Sequence, residues 1–324
     1  MSEVLAGFAI VWVIIAVGFG LGRSEVLGAE ARVVLSRTAF FVGSPALLFV
    51  TLSRADVLTV LGPQLWVATL SALLAAGLFL AVSIPLLRPR PVSERVMSGL
   101  SASLVNSANL GIPIATYVLG DPALAAPALM FQLGIYTPLY VAVLDWSTAR
   151  EAREDDDDGR PRRVPRSRPV LAQLRQTALN PMILGALAGL LFSVTGWALP
   201  GPLNEAVELI AGLSIPAMLL AFGMSLVGSV PLSRAGGRRA DTLLASAVKL
   251  LVHPLIAWLL AQFVFGLDAR GVFVAVVLAS LPTAQNTYVT AVRYQSGERV
   301  TKDTVLVTTI VAIPAMIAVA LLLA

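Results

Sequence analysis

Apolar segments of about 20 residues recur along the whole chain, and each is long enough to cross a membrane as a helix. Hydrophobic residues make up 57% of the sequence and charged residues 13%, against roughly 45–50% and about 25% in a soluble domain. The remaining stretches are too short to form a soluble domain of useful size. The pattern therefore predicts an all-α, multi-pass membrane protein.

Ten membrane-spanning helices are predicted, and we call them spans 1 to 10. Their ranges are 4–22, 33–52, 64–87, 96–118, 124–147, 179–197, 205–228, 242–265, 271–292 and 303–323. One face of the membrane, reached by the segments after spans 1, 3, 5, 7 and 9, holds 21 of the 23 Lys and Arg residues. Short cytoplasmic loops collect positive charge, so this face is predicted to be cytoplasmic, with both termini extracytoplasmic in a bacterial inner membrane. The same distribution explains the net charge of +4 without a nucleic-acid partner.

A polar stretch at 148–178 separates span 5 from span 6. It contains four consecutive Asp residues at 155–158, followed by five Arg residues among prolines, at 160, 162, 163, 166 and 168. The acidic run could be a metal or regulatory site, but the mixture of charge and proline favours a solvated linker whose basic end touches anionic headgroups. The predicted organisation is a first five-helix repeat at 1–147, a cytoplasmic linker at 148–178 and a second repeat at 179–324.

Short polar or proline motifs recur in the two halves in the same order. The matched pairs are Pro45 with Pro216, Asn109 with Asn286, and Pro138 with Pro314. Their separations of 171, 177 and 176 residues are nearly constant. Because each repeat holds an odd number of spans, the second copy must run in the opposite orientation. The pattern predicts two inverted five-helix repeats, an arrangement found in many secondary transporters.

Span 4 contains Asn106, Asn109, Gly111 and Pro113, which are poor choices inside a membrane helix. Proline removes a backbone donor and clashes with the preceding turn. We therefore predict a break between Asn109 and Pro113, with a second half-helix that begins near Ile112. Free amides at the start of a half-helix favour a negative charge, and Asn side chains can donate hydrogen bonds to a carboxylate.

Span 9 repeats this arrangement, since Pro282 is followed by a dense run of uncharged polar residues. If the repeats cross at their breaks, four half-helix ends meet and can hold a small anion without a permanently charged partner. The alternative is that the asparagines only satisfy backbone groups that the prolines free. The predicted substrate-binding residues are Asn106, Asn109, Gly111, Pro113, Pro282, Thr283, Gln285 and Asn286.

Span 8 contains Lys249 and His253, which are four residues apart and therefore share a helix face. Ionisable groups inside a membrane are costly and usually face a cavity or a partner. Lys249 could attract an anionic substrate, and His253 could titrate near neutral pH and couple transport to protons. The alternatives are that Lys249 extends to the headgroups and that His253 bonds a neighbouring carbonyl.

Several classes of chemistry find no support in the sequence. The chain has no cysteine, which excludes disulfides and thiolate metal sites, and it has no phosphate-binding loop, metalloprotease motif or Gly-flanked serine nucleophile. It is predicted not to be an enzyme and to need no metal or organic cofactor. Gly185 and Gly189 suit close helix packing, with a dimer contact as one option.

Several motifs of the chain resemble the auxin efflux carrier family. They are the segment from Asn106 to Pro113, which ends in Gly-Ile-Pro, together with Leu281-Pro282 in span 9 and Ser44-Pro45 in span 2. The two halves joined by a cytoplasmic loop extend the resemblance over essentially the whole chain. That family includes bacterial transporters of malate, malonate and related carboxylates.

The resemblance implies a fold similar to that of bile-acid sodium symporters. Spans 1, 2, 6 and 7 would form a scaffold, often dimeric, and spans 3 to 5 with 8 to 10 a moving transport domain. Substrate would bind where spans 4 and 9 cross. By motif, Asn106, Asn109, Pro282 and Asn286 match the region that contacts the carboxylate in family members.

The sequence thus predicts a secondary active transporter of a small organic anion that works by an elevator-type movement. The substrate would be a malate- or malonate-like carboxylate or an auxin-like weak acid, and H⁺ or Na⁺ the candidate coupling ion. Lipid and a second copy of the chain are the other predicted partners. The alternative function is a membrane sensor that binds a small molecule or lipid at the same crossing without transport.

Overall fold

The computed structural model describes residues 2–28, 30–156, 175, 178–228, 232 and 237–323, and every regular element within these ranges is helical. Thirteen helical elements occur in this part of the chain. They are α1 (Ser2–Ser24), α2 (Ala31–Leu52), α3 (Val57–Leu61), α4 (Pro63–Leu86), α5 (Val92–Ser103), α6 (107–117), α7 (122–156), α8 (Pro181–Thr195), α9 (Gly201–Ser225), α10 (Arg239–Val264), α11 (Ala269–Ala279), α12 (Gln285–Tyr294) and α13 (Glu298–Leu323).

Most of the predicted spans coincide with single helices, whereas spans 4 and 9 are each divided between two helices. In the part of the chain that the structure describes, six continuous helices, within α1, α2, α4, α7, α9 and α10, are long and apolar enough to cross a membrane, and α13 forms a seventh that bends by 46° before Pro314. Large apolar side chains point outward from several of them, such as Leu209, which is 80% exposed, and Leu251, which is 69% exposed. Outward apolar side chains suit contact with lipid, so the prediction of an all-α membrane protein is confirmed.

One boundary differs from the prediction. Span 5 was expected to end at residue 147, but α7 continues as a helix to Asp156. The extension from 148 to 156 is rich in Ala, Arg and Glu, which favour helix, and this outweighs the polar character from which a linker was predicted. Most of the rest of the predicted linker, including Asp157, Asp158 and the five Arg residues, lies outside the described residues.

Helices α1, α2, α8 and α9 pack against one another, and we call them the first group. Apolar side chains gain little free energy when they leave lipid for a contact between helices, so such a contact depends on close packing. Small residues allow the helix backbones to approach closely. A Cβ at Gly189 of α8 would stand 2.7 Å from the carbonyl oxygen of Phe49 in α2, so only glycine fits there. Gly185 meets the Pro45 carbonyl in the same way. The two glycines therefore serve a contact within the chain, rather than the dimer contact that the sequence left open.

The remaining helices, α4 to α7 and α10 to α13, pack mostly among themselves and form the second group. Two ion pairs join α10 and its N-terminal flank to the region where α5 begins: Arg90 with Asp241, at 3.1 Å, and Arg238 with Glu94. The hydrogen bond to Asp241 raises the pKa of Arg90 above its ordinary value, so the guanidinium remains charged. Glu151 of α7 accepts hydrogen bonds from both the backbone and the side chain of Ser93. These contacts tie together one end of the second group.

Candidate functional site at the crossing of two broken helices

The first broken helix is interrupted earlier than the sequence predicts. Helix α5 ends at Ser103, three residues follow without helical structure, and a π-helical turn at Ser107–Gly111 leads into the α-helical turns at Ile112–Tyr117. The predicted half-helix near Ile112 therefore begins at Ser107 instead. Pro113 causes no break, because it lies in the first turn of the α-helical part, where a missing donor is tolerated. The wider π turn precedes Pro113, and in that turn the Ser107 carbonyl accepts a hydrogen bond from the Ile112 N–H.

The second broken helix is interrupted where Pro282 predicts it. Helix α11 ends at Ala279, and α12 begins at Gln285. The residues between them cross the first break and pair with it in antiparallel fashion at Val105 and Thr283. Each segment donates one backbone hydrogen bond to the other: Asn106 N–H to the Pro282 oxygen at 2.9 Å, and Ala284 N–H to the Leu104 oxygen at 3.0 Å.

This pairing explains why the first break lies upstream of its proline. Backbone groups outside a helix must find partners inside a membrane, since no water is there to bind them. Two of these partnerships form directly between the segments, where Leu104 to Asn106 meet Pro282 to Ala284. The position of the break is therefore set by a contact across about 180 residues, as the 182-residue separation of Thr283 from Ser101 illustrates.

Hydrogen bonds from side chains of the second group stabilise the crossing. Thr283 donates its hydroxyl to the Ser101 carbonyl at 2.6 Å, and its N–H donates to the Thr308 hydroxyl at 3.1 Å. Gln132 of α7 donates to the Val105 carbonyl at 3.0 Å. Ser101, Gln132 and Thr308 were not among the predicted site residues. Gln132 and Thr308 could have been found, since each is a polar residue inside an apolar span, whereas Ser101 contributes only its backbone carbonyl.

Two polar atoms at the crossing have no hydrogen-bond partner within the described part of the chain. They are Nδ2 of Asn106 and Oγ of Ser107, in side chains that are 2% and 1% exposed. Leaving a buried donor unpaired costs about 1–3 kcal/mol, so such atoms call for an explanation. Both lie where α6 begins, and the first amides of a helix favour negative charge.

The other predicted site residues are distributed around this point. Asn109 is half-buried one turn further along, and Gly111 is buried against Leu281 of the second break. Gln285 donates to the hydroxyl of Ser225 at 2.8 Å, which links the second break to α9 in the first group. Asn286 is exposed, and no hydrogen bond between its side chain and Asn109 exists in the described residues. The structure thus brings Asn106, Pro282 and Thr283 together and leaves Asn286 apart.

Lys249 and His253 lie behind the crossing rather than in it. The Lys249 side chain is fully buried, so it does not extend to the headgroups. Its Nζ donates to the carbonyl of Ala279 at 2.7 Å, at the C-terminal end of α11, and lies 3.1 Å from Nδ1 of His253. A donor at a helix C-terminus is electrostatically favourable. The other ring nitrogen, Nε2, lies 3.2 Å from the hydroxyl of Ser71 in α4.

A small cavity adjoins this cluster. Its lining includes Ser71 and His253 on one side and Val105 and Gln132 of the crossing on the other. Polar groups on both sides could hold water. The cavity therefore connects the surroundings of His253 with the back of the crossing.

Comparisons with known proteins agree with a role in membrane transport. The sequence profile of a family described as "Membrane transport protein" matches residues 4–319. A Rhizobium meliloti protein named "Putative malonate transporter" is 28% identical over 293 residues, which cover 88% of this chain and 84% of the relative. A Methanothermobacter thermautotrophicus protein named "Uncharacterized transporter" is 25% identical over 290 residues, which cover 87% of this chain and 86% of the relative.

Proposed function

The chain belongs to the membrane transport protein family, and from this premise we propose that it is a secondary active transporter of a small organic carboxylate. The family match confirms the resemblance on which the sequence prediction rested, and it establishes a multi-pass membrane transporter. The chemical class of the substrate, its site and the mechanism are our proposals. The malonate named for the relative from Rhizobium meliloti supports a short dicarboxylate.

One observation carries the site assignment. Asn106 Nδ2 and Ser107 Oγ are buried next to the start of α6, and neither has a hydrogen-bond partner among the described residues. A carboxylate that binds there would accept hydrogen bonds from both groups and interact favourably with the helix dipole. Asn109, half-buried in the following turn, would contribute a third donor. A carboxylate thereby satisfies polar groups that otherwise remain unpaired in the membrane.

We further propose that the crossing lies at the centre of two inverted five-span repeats. A hydrogen bond of 2.9 Å between the hydroxyls of Ser44 and Ser214, which belong to repeat-related motifs, supports this symmetry. The first group of helices would be the scaffold, and the second group would move as an elevator. Ten spans with extracytoplasmic termini and a homodimer formed through the scaffold complete the proposal.

His253 is our candidate for coupling transport to protons. Imidazole is the side chain that most readily changes charge near neutral pH. The groups that face it are Lys249 at Nδ1 and the Ser71 hydroxyl at Nε2, and neither is a carboxylate. Lys249 in turn contacts the end of α11, so a proton at His253 would alter interactions next to the second break.

The proposed site can be tested by flux in proteoliposomes. Asn109→Ala should reduce uptake of radiolabelled malonate about 10- to 100-fold, because a hydrogen bond to a charged group is worth about 1.5–3 kcal/mol. Asn286→Ala, at the repeat-related position, should have the smaller effect, since its side chain is exposed. Uptake into sealed vesicles also separates a transporter from a sensor, which binds ligand without moving it.

Asn204→Ala provides the matched control. Asn204 donates to Glu208 within α9, far along the helix from Ser225, so its loss should leave uptake unchanged. Retention of full uptake by Asn109→Ala would refute the site. Binding of malonate by wild type without any flux would refute transport and favour the sensor.

A further inference from the structure

A second and larger cavity lies between the two groups of helices. It is bounded by Arg32 and the end of α9 on one side and by α12 and α13 on the other. Arg32 follows span 1 and Lys302 immediately precedes span 10, so both belong to the face that the distribution of positive charge predicts to be cytoplasmic. We call this cavity the vestibule.

Two cationic side chains line the vestibule from opposite sides. Arg32 belongs to the first group and Lys302 to the second, and both are exposed. Neither forms an ion pair in the described part of the chain, and no acidic residue is among the residues that line the vestibule. Asp303 follows Lys302 in sequence and interacts with it electrostatically, and Glu30 lies two residues before Arg32, but neither carboxylate lines the vestibule. Two like charges that face one cavity attract an anion.

The inner end of the vestibule reaches the crossing. Gln285, the first residue after the second break, lines it, and so does Thr309. The hydroxyl of Thr309 is buried without a partner among the described residues, and the neighbouring Thr308 contacts the backbone of Thr283. Six residues of α13 separate Lys302 from Thr308, which corresponds to about 9 Å along the helix. The vestibule therefore extends from the two cationic side chains to the residues that flank the second break.

We propose that the vestibule is an anion-binding subsite that selects dicarboxylates over monocarboxylates, through the attraction of Arg32 and Lys302 for both carboxylates of one anion. This inference rests on the proposed function, since the anion held in the vestibule is the substrate that then binds at the crossing. A doubly charged anion gains about twice the attraction of a singly charged one at the same position. Tyr288 and Leu306 supply apolar surface for the short carbon chain of such an anion.

The test compares malonate with malonamate, which has the same shape but one carboxylate replaced by an amide. Dissociation constants would be measured by calorimetry on purified protein in an uncharged detergent, so that no anionic lipid competes. Wild type should bind malonate about tenfold more tightly than malonamate. Arg32→Gln and Lys302→Gln should each weaken malonate binding about two- to fivefold, and together about tenfold, while malonamate, with half the charge, should weaken only about threefold in the double variant.

Arg37→Gln is the matched control, because it removes the same charge from an exposed position of α2 that does not line the vestibule. Its binding constants should equal those of wild type. The inference is overturned if the double variant keeps the preference for malonate, or if both ligands weaken equally. Wild type that binds neither ligand would overturn the proposed function as well, and this outcome is distinct from the others. Charge variants that alter only the binding of added phosphatidylglycerol would assign the vestibule to lipid and overturn the inference.

Discussion

The two broken segments occupy related positions in the chain, but they use their polar groups differently. In the first, Asn106 Nδ2 and Ser107 Oγ are buried and have no hydrogen-bond partner among the residues that the structure describes. In the second, the N–H and the hydroxyl of Thr283 both form hydrogen bonds, and the amide of Gln285 donates to Ser225 of α9. The hydroxyl of Thr287, which also has no partner within the described ranges, belongs to α12, beyond the pairing itself. The difference suggests a division of roles, in which the first segment binds ligand and the second holds the crossing together.

The largest expected effect is a difference in stability between variants of the two segments. Thr283→Val keeps the shape of the side chain but leaves the buried Ser101 carbonyl without its donor, so we expect a loss of about 1–3 kcal/mol in the free energy of unfolding. Asn106→Ala removes a donor that has no partner, so the ligand-free protein should be at least as stable as wild type. Thermal unfolding in detergent measures both.

Addition of malonate extends the same experiment. Malonate should raise the unfolding temperature of wild type and of Thr283→Val, because a ligand that binds the folded state stabilises it. Asn106→Ala should lose most of this increase. Equal destabilisation by the two substitutions, or equal retention of the ligand response, would remove the division of roles.

A smaller effect is expected at the cluster behind the second segment. His253→Gln retains hydrogen-bonding groups but does not titrate, so an inward proton gradient should stimulate uptake by wild type and have little effect on the variant. Exchange of internal for external malonate without a gradient should stay within about twofold of wild type, because the cluster does not touch the proposed site. Equal stimulation of both proteins would exclude His253 from coupling.

The sequence predicted the helices well because their signal is local. Runs of apolar residues, interrupted by Pro282 or by the loops that carry Arg, indicate each span without knowledge of its neighbours. The predicted position of the first break was wrong because the break depends on the hydrogen bonds that join Leu104 with Ala284 and Asn106 with Pro282. No local sequence pattern contains these contacts. The contributions of Gln132 and Thr308 were missed for the same reason, although polar residues in apolar spans marked them as worth attention.

The central claim, that a carboxylate binds at the crossing, can be tested most directly by protection of a single cysteine. The chain has no cysteine of its own, and Ala108 is half-buried between Ser107 and Asn109. Malonate at about ten times its dissociation constant should slow the reaction of Ala108→Cys with a maleimide about tenfold, because only the unliganded protein reacts. Arg37→Cys, which is exposed and distant, should react at the same rate with and without malonate. An unchanged rate at Ala108→Cys, in protein that still takes up malonate, would contradict a binding site at the crossing.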